Sequence, residues 1–280
     1  MERSLFILSV VSLSIFSLAT ATAAEFDFLY FTQVWPQSAC EKWKEGNENH
    51  TCNLRNGQDW SIHGVWPTKD NVIGPLYCDN TTHFDPEAIK SILPQLEAHW
   101  IDVHGGHHSK YQFWKHEFLK HGTCAESILE LSTELLYFQK GLELHEKYDV
   151  SQLLIQGNVH QGSSYNAESF INAVNNSLGG YAPALECDTD SQGHFLYQVG
   201  ICLSKSFELM SCESVKGGLY GNCPQSTNSL IRYPYGPGSS GVSFGVVFVT
   251  LLCMVLFAGL GYFLYSKYLN HRRLAEYNRI

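Results

Sequence analysis

The stretch FWKHEFLKHGTC, Phe113–Cys124, gathers two histidines, a glutamate and two lysines in one short segment. His116-Glu117 opens like the zinc-peptidase motif H-E-x-x-H, but that motif needs its second histidine four residues on, with both on one helical face. Here Lys120 holds that position and His121 comes one residue later, and a cation at i+4 would repel a metal. Wound as a helix at about 100° per residue, with His116 at zero, Lys120 falls at about 40°, Phe113 at 60°, Glu117 at 100° and His121 at 140°. These four titratable groups and one aromatic ring share a face, while Leu119 points elsewhere and can anchor the helix. Such a set suits proton transfer to and from an anionic substrate. A solvated charged face has the same composition, and the segment alone leaves both readings open.

A second stretch, DWSIHGVWPT, Asp59–Thr68, adds His63, then Gly64, which permits close approach of backbone or ligand, then the rigid pair Trp66-Pro67. By itself it also reads as a strand-end histidine beside a core tryptophan. Taken together, the two stretches resemble the two active-site segments of the T2 family of endoribonucleases. The early VWPQSAC, Val34–Cys40, resembles that family's first strand and cysteine. The likeness runs over roughly residues 25–225 and is nearer to animal secretory and lysosomal acid members than to fungal ones.

The resemblance implies a role for each matching residue. His63 takes the place of the general acid that protonates the leaving 5′ oxygen, and His121 that of the base that deprotonates the ribose 2′-OH. His116, Glu117 and Lys120 match positions that hold and neutralise the pentacovalent phosphorane. Trp66 and Phe113 match rings that stack on bases. The implied activity is metal-independent cleavage of single-stranded RNA through a 2′,3′-cyclic phosphate to 3′-phosphate products, with no cofactor. The family's cysteine order implies the pairs Cys40–Cys52, Cys78–Cys124, Cys187–Cys223 and Cys202–Cys212. Two positions depart from the pattern: Thr68 stands where many members carry Asp, and Val34 where Gln is usual. Both leave base preference open.

The chain ends speak to compartment. Arg3, an apolar run from Leu5 to Leu18 and small residues near Ala21–Ala24 form a secretory signal over 1–24. Eight cysteines lie between this signal and the hydrophobic run that starts at Val242, an even number that in an exported chain predicts disulfides, each contributing about 2–4 kcal/mol, while the ninth, Cys253, falls inside that run. Sequons at Asn49, Asn80 and Asn175 fit the same route. The expected organisation is a ribonuclease domain over 25–225, a Pro/Gly/Ser-rich tether over 226–241 containing RYPYGPGSSG, a transmembrane helix over 242–265 and a cytoplasmic tail over 266–280. Val242–Tyr265 carries no charge. Lys267, Arg272, Arg273 and Arg279 place the tail in the cytosol by the positive-inside rule. The protein thus reads as a type I, single-pass protein of the secretory and endolysosomal system or cell surface, catalytic side out. The terminal Tyr277-Asn-Arg-Ile280 resembles signals read by endocytic sorting adaptors.

About 200 residues between signal and span make one domain. Helical patterns begin at FDPEAIKSIL, where Asp85 can cap and Pro86 suits a first turn, and run over about Ala125–Tyr148 and Ala167–Leu178. FDFLYFTQVW and HFLYQVGICLS read as strands. Without a βαβ rhythm, the expected class is α+β, an antiparallel sheet with packed helices. Formal charge is −9, and the tail contributes a net +3, so the remainder carries −12. That field disfavours a polyanion at neutral pH, and histidine protonation in acid would offset it. Two other readings remain: an idle membrane receptor or scaffold on the same fold, which predicts loss of an active-site histidine, and a metal-binding protein using HGGHHSK, His104–Lys110.

Overall fold

The structure is a computed structural model and describes residues 24–54, 59–104, 111–236, 254, 256–267 and 269. Strand β1, Phe28–Val34, is buried along its whole length because it has a core on each side. Leu29 and Phe31 face the main core, and Phe28 and Tyr30 face a smaller one built around Cys202 and Cys212. This is the period-two alternation of a strand covered on both faces. β1 is flanked by antiparallel partners, β2 (Ser61–Thr68) and β5 (Gly193–Leu203). β4 (Ala184–Asp190) forms an antiparallel pair with β5, as does the short β6 (Leu209–Met210). β7 (Ile231–Tyr233) pairs with β3 (Ser163–Tyr165) and completes a seven-stranded sheet among the described residues.

Among the described residues 24–236, six α-helices accompany it: α1 (Pro36–Gly46), α2 (Leu93–His99), α3 (Gln112–Lys120), α4 (Glu134–Lys147), α5 (Val150–Gln156) and α6 (Ala167–Ser177). Thr133, Asp149 and Asn166 cap the last three through side-chain oxygens. The class is the expected α+β. Trp60, Trp100, Tyr137, Phe138 and Phe170 are fully buried in the main core.

The open edge of β2 is closed by aromatic side chains. Trp100 Nε1–H donates to the His63 carbonyl (3.0 Å) and the Tyr137 hydroxyl donates to the Val65 carbonyl (3.2 Å). Trp114 of α3 in turn donates to the Trp100 carbonyl (2.8 Å). Backbone groups that an edge strand would leave unpaired are thereby satisfied. The same bonds fix α3 against β2, which matters because the two hold the candidate site.

Four expectations change. Asp85 caps a turn, accepting from Glu87 N, and the helix proper starts only at Leu93 after a short 3-10 segment over Lys90–Ile92. The helix expected from Ala125 starts at Glu134, where Thr133 supplies the cap. One strand pairing, β5 with β7, is parallel. The fourth concerns the tether expected over 226–241, which contains β7. Ile231 and Tyr233 are buried, the Tyr233 hydroxyl accepts from Trp60 Nε1 (2.8 Å), and Arg232 pairs with Asp190 (2.5 Å). The Pro/Gly content hid two core side chains spaced by two.

Four disulfides are formed: Cys40–Cys52, Cys78–Cys124, Cys187–Cys223 and Cys202–Cys212. Asn49 and Asn80 are exposed, whereas Asn175 is half-buried near the end of α6. No helix among the described residues is long and apolar enough to cross a membrane. Residues 1–23 of the signal expected over 1–24, residues 242–253 and 255 of the expected span and the terminal Tyr277–Ile280 lie outside the described residues, while residues 256–267 are helical.

Candidate active site

His63 sits on β2 at a bulge. Thr32 pairs with Gly64 and Gln33 with Ile62, so His63 is the extra residue opposite β1. A bulge re-aims a side chain, and this one leaves His63 half-buried rather than in the core. α3 supplies the facing groups. Its Trp114 and Phe118 are buried as anchors, and Leu119 is partly buried against the same core. His116 is exposed, Phe113 and Lys120 are half-buried, and Glu117 and His121 are buried. His121 is the C-cap of α3, its N–H donating to the Glu117 carbonyl (3.0 Å). The Cys78–Cys124 disulfide lies three residues beyond and ties this end to the preceding loop.

Trp66 organises the centre. Its indole N–H donates to Glu117 Oε2 (2.8 Å), its ring stacks on His121 (centroids 4.9 Å apart, planes at 24°), and it meets His63 edge-on at 5.0 Å. Glu117 Oε1 lies 3.9 Å from His63 Nε2, and Phe113 stands 6.0 Å from the His63 ring. Gly64 has a specific reason to be glycine, because a Cβ there would overlap Trp66 Nε1 and Glu117 Oε2. The close approach it permits is that of the site's own side chains.

Burial dominates the electrostatics. It pushes Glu117 up to about 8, against the Trp66 hydrogen bond and the Lys120 charge. It pushes His121 down to about 2, assisted by Lys120, and His63 down to about 4, against the hydrogen bond to Gln198. His116 is lowered by burial and by Lys120. The His63 and His121 imidazoles are therefore held in their neutral forms near pH 7, and His116 is displaced in the same direction. The Nδ1 of His121 is buried without a hydrogen-bond partner among the described groups, so that ring has a nitrogen uncommitted to protein.

Beside Trp66 and His121 opens a cleft of about 550 Å³, within the usual range for small-molecule sites. Lys120, Thr68 and Tyr30 line it, with Glu186 and Gln198 from β4 and β5. Thr68 directs its hydroxyl to the Trp66 carbonyl (2.8 Å). Val34 is instead buried with Ala39, Cys40 and Val103, away from the cleft. The structure gathers His63, Glu117 and His121 around Trp66, sets Phe113 beside the His63 ring and Lys120 in the cleft lining, and leaves His116 exposed on α3. Sequence reasoning missed Gln198 and Glu186. The Gln198 carbonyl oxygen contacts His63 Nδ1 (2.5 Å) and its amide donates to Glu186 (3.0 Å). They are isolated residues on two strands, so only register could have revealed them. Of the loop HGGHHSK, His104 rests against Trp43 (4.6 Å), and the rest lies outside the described residues. The described residues contain no cluster of three or more His, Cys, Asp or Glu able to hold a metal ion.

The profile of the Ribonuclease T2 family matches residues 26–212. The chain belongs to the ribonuclease T2 family. Extracellular ribonuclease LE of Solanum lycopersicum is 34% identical over 224 residues, covering 78% of this chain and 94% of that protein. Ribonuclease T2 of Homo sapiens is 31% identical over 193 residues, covering 67% and 71%. The crystal structure of human RNase T2 superposes with a TM-score of 0.62 at 30% identity, covering 75% of this chain and 98% of that one. RNase NT in complex with 5′-AMP gives 0.61 at 29%, with the same coverage. Plant and animal members thus match about equally well. The protein is a T2-type endoribonuclease.

The raised Glu117 pKa has a consequence for stability. A carboxyl that is harder to ionise folded than unfolded contributes stability below its ordinary pKa, and that stability is lost as pH rises towards 8. Glu117→Gln keeps an acceptor for Trp66 and cannot ionise. The variant should melt close to the parent at pH 5 and be more stable at pH 8, by on the order of 2–4 kcal/mol. Melting curves across this range check it. A difference that does not grow with pH would show that Glu117 is not strained by burial.

Proposed function

We propose that the protein cleaves single-stranded RNA by transphosphorylation, using His121 as base and His63 as acid. The observation that carries this is that two imidazoles from separate elements converge on one tryptophan ring, whose N–H is held by a buried carboxyl and which lines a cleft together with a lysine. His121 takes the proton from the 2′-OH, O2′ bonds to phosphorus, the P–O5′ bond breaks, and His63 Nε2–H protonates the departing oxygen. Water then opens the 2′,3′-cyclic phosphate with the two roles reversed, giving a 3′-phosphate. DNA lacks the nucleophile. No metal or cofactor is called for, since the chain's own cation, Lys120, lies where charge develops on the phosphorane, with His116 and Glu117 beside it.

Trp66 gives one face to His121 and its N–H to Glu117, so it supports the catalytic groups as well as bordering the cleft for a base. Phe113 is the second base-stacking ring. A phosphodiester entering beside Lys120 brings a negative charge that favours the imidazolium of His63, so substrate helps to load the acid. Acidity does the same. With His63 displaced downward in the free protein, kcat/KM should fall by about tenfold or more from pH 5 to pH 8 at fixed ionic strength. His63→Ala and His121→Ala should each lower RNA turnover by on the order of 10²–10⁴-fold without loss of fold. Parent-level cleavage by either folded variant would overturn the assignment, as would a rate rising steadily with pH.

The domain is proposed to act on the luminal or extracellular side, delivered by the 1–24 signal, with glycans at Asn49, Asn80 and Asn175. The uncharged run Val242–Tyr265 supports a membrane anchor, the Arg-rich tail a cytosolic C-terminus, and Tyr277–Ile280 an endocytic sorting contact. The protein should remain in membranes after alkaline carbonate extraction, and Tyr277→Ala should raise its surface fraction. Complete release by carbonate would remove the anchor.

A further inference from the structure

Protonation of His63 needs its other ring nitrogen settled, and the sheet does this from two strands away. His63 Nδ1 faces Gln198 Oε1 at 2.5 Å, and Gln198 Nε2 donates to Glu186 Oε2 at 3.0 Å. Gln198 is buried in β5, and Glu186 is its cross-strand partner on β4, at the point where the β4–β5 register shifts by one residue. An amide can face an imidazole in either of two senses. With the carbonyl toward Nδ1, that nitrogen must carry hydrogen, and the labile proton belongs to Nε2 on the Glu117 side. Protonating the ring then costs no contact. With the NH2 toward Nδ1, that nitrogen must keep its lone pair, and a second ring proton would set N–H against N–H. A carboxylate at the far end of the amide selects the first sense, because it can only accept.

We infer that Glu186 and Gln198 are positioning residues that hold His63 in the tautomer able to become the general acid. This rests on the acid assignment of His63 given above. The geometry specifies the same arrangement for every turnover, because the amide sits in a sheet interior rather than on a loop. Around His63 the other ionisable groups are Glu117, Lys120 and His116 of α3, His121 at its C-cap, and His104. Around Glu186 they are Lys42 of α1, Asp188 of β4, Tyr30 of β1 and Tyr197 of β5. Lys42 lies 2.5 Å from Asp188 and favours an ionised Glu186. Burial, the largest influence, holds the Glu186 carboxyl above its ordinary range, with Asp188 adding to this and Lys42 opposing it, and the hydrogen bond from Gln198 to its oxygen favours the ionised form.

The test compares two substrates in the purified full-length protein: a dinucleoside monophosphate, whose alkoxide leaving group needs an acid, and a nucleoside 3′-(p-nitrophenyl phosphate), whose leaving group does not. Gln198→Leu and Glu186→Gln should lower kcat on the dinucleotide about 10–100-fold and about 3–10-fold, respectively, with less than twofold loss on the aryl ester. Gln198→Glu, which keeps an acceptor at Nδ1 and adds charge, should retain dinucleotide activity and move the alkaline limb of kcat/KM to higher pH. Gln198→Leu should move it to lower pH. Opposite displacements would not arise from a packing role. Equal losses on both substrates, or limbs that stay in place, would overturn the inference. His63→Ala is the control for the underlying reading. If it also loses both substrates equally, the acid assignment itself fails. If it spares the aryl ester while the Gln198 variants do not, only the positioning role fails.

Discussion

A buried carboxyl accepting one indole N–H, Glu117 from Trp66, is the interaction on which the rest of the site depends. An ionised carboxylate in that place would be costly with so few partners. Its position draws strand β2 and helix α3 together and forbids a side chain at residue 64. The same tryptophan then has its face against His121 and its edge toward His63. Two histidines 58 positions apart in sequence become neighbours of one ring. The aromatic hydrogen bonds from Trp114 to the Trp100 carbonyl and from Trp100 to the His63 carbonyl make the helix and strand a single rigid support.

Burial also decides the chemistry. Left in water, the imidazoles would titrate near 6.5 and the carboxyl near 4.3. In the site their order is reversed: the carboxyl holds its proton more tightly than either ring. An uncharged pair facing Lys120 leaves that lysine as the positive charge closest to where an anionic diester would enter. In the proposed mechanism, charge on His63 is then supplied by substrate and by acid rather than stored in the resting protein. That proposal ties catalysis to an acidic medium through desolvation at the site, in addition to the acidity of the whole chain.

Much of this was legible in the linear chain, and the reason is spacing. Phe113, His116, Glu117, Lys120 and His121 share a helical face in any helix, and WSIHGVWP carries a histidine, a glycine and an aromatic platform on one strand. What sequence could not show was direction. Trp66 read as a platform for a base, yet its N–H and one face are occupied by Glu117 and His121. Gln198 and Glu186 reach the site through antiparallel register between β4 and β5, a property of pairing rather than of any local pattern. β7 was concealed for the opposite reason. Its flanks, RYPYGPG, have the composition of a linker, while Ile231 and Tyr233 are core residues held by strand partners 66 and 70 positions earlier, Tyr165 and Ser163. Asp85 and Pro86 met the local rules for a helix start, and the chain used them for a turn instead.

The central claim is that this constellation uses the substrate's own 2′ oxygen as nucleophile and needs only side chains to move its protons. The direct measurement is 31P NMR of a dinucleoside monophosphate incubated with the purified protein in excess chelator at pH 5. The account predicts a 2′,3′-cyclic phosphate resonance that grows first and then gives way to a 3′-monophosphate. A 5′-monophosphate formed without a cyclic intermediate, or no reaction until a divalent metal is restored, would contradict it.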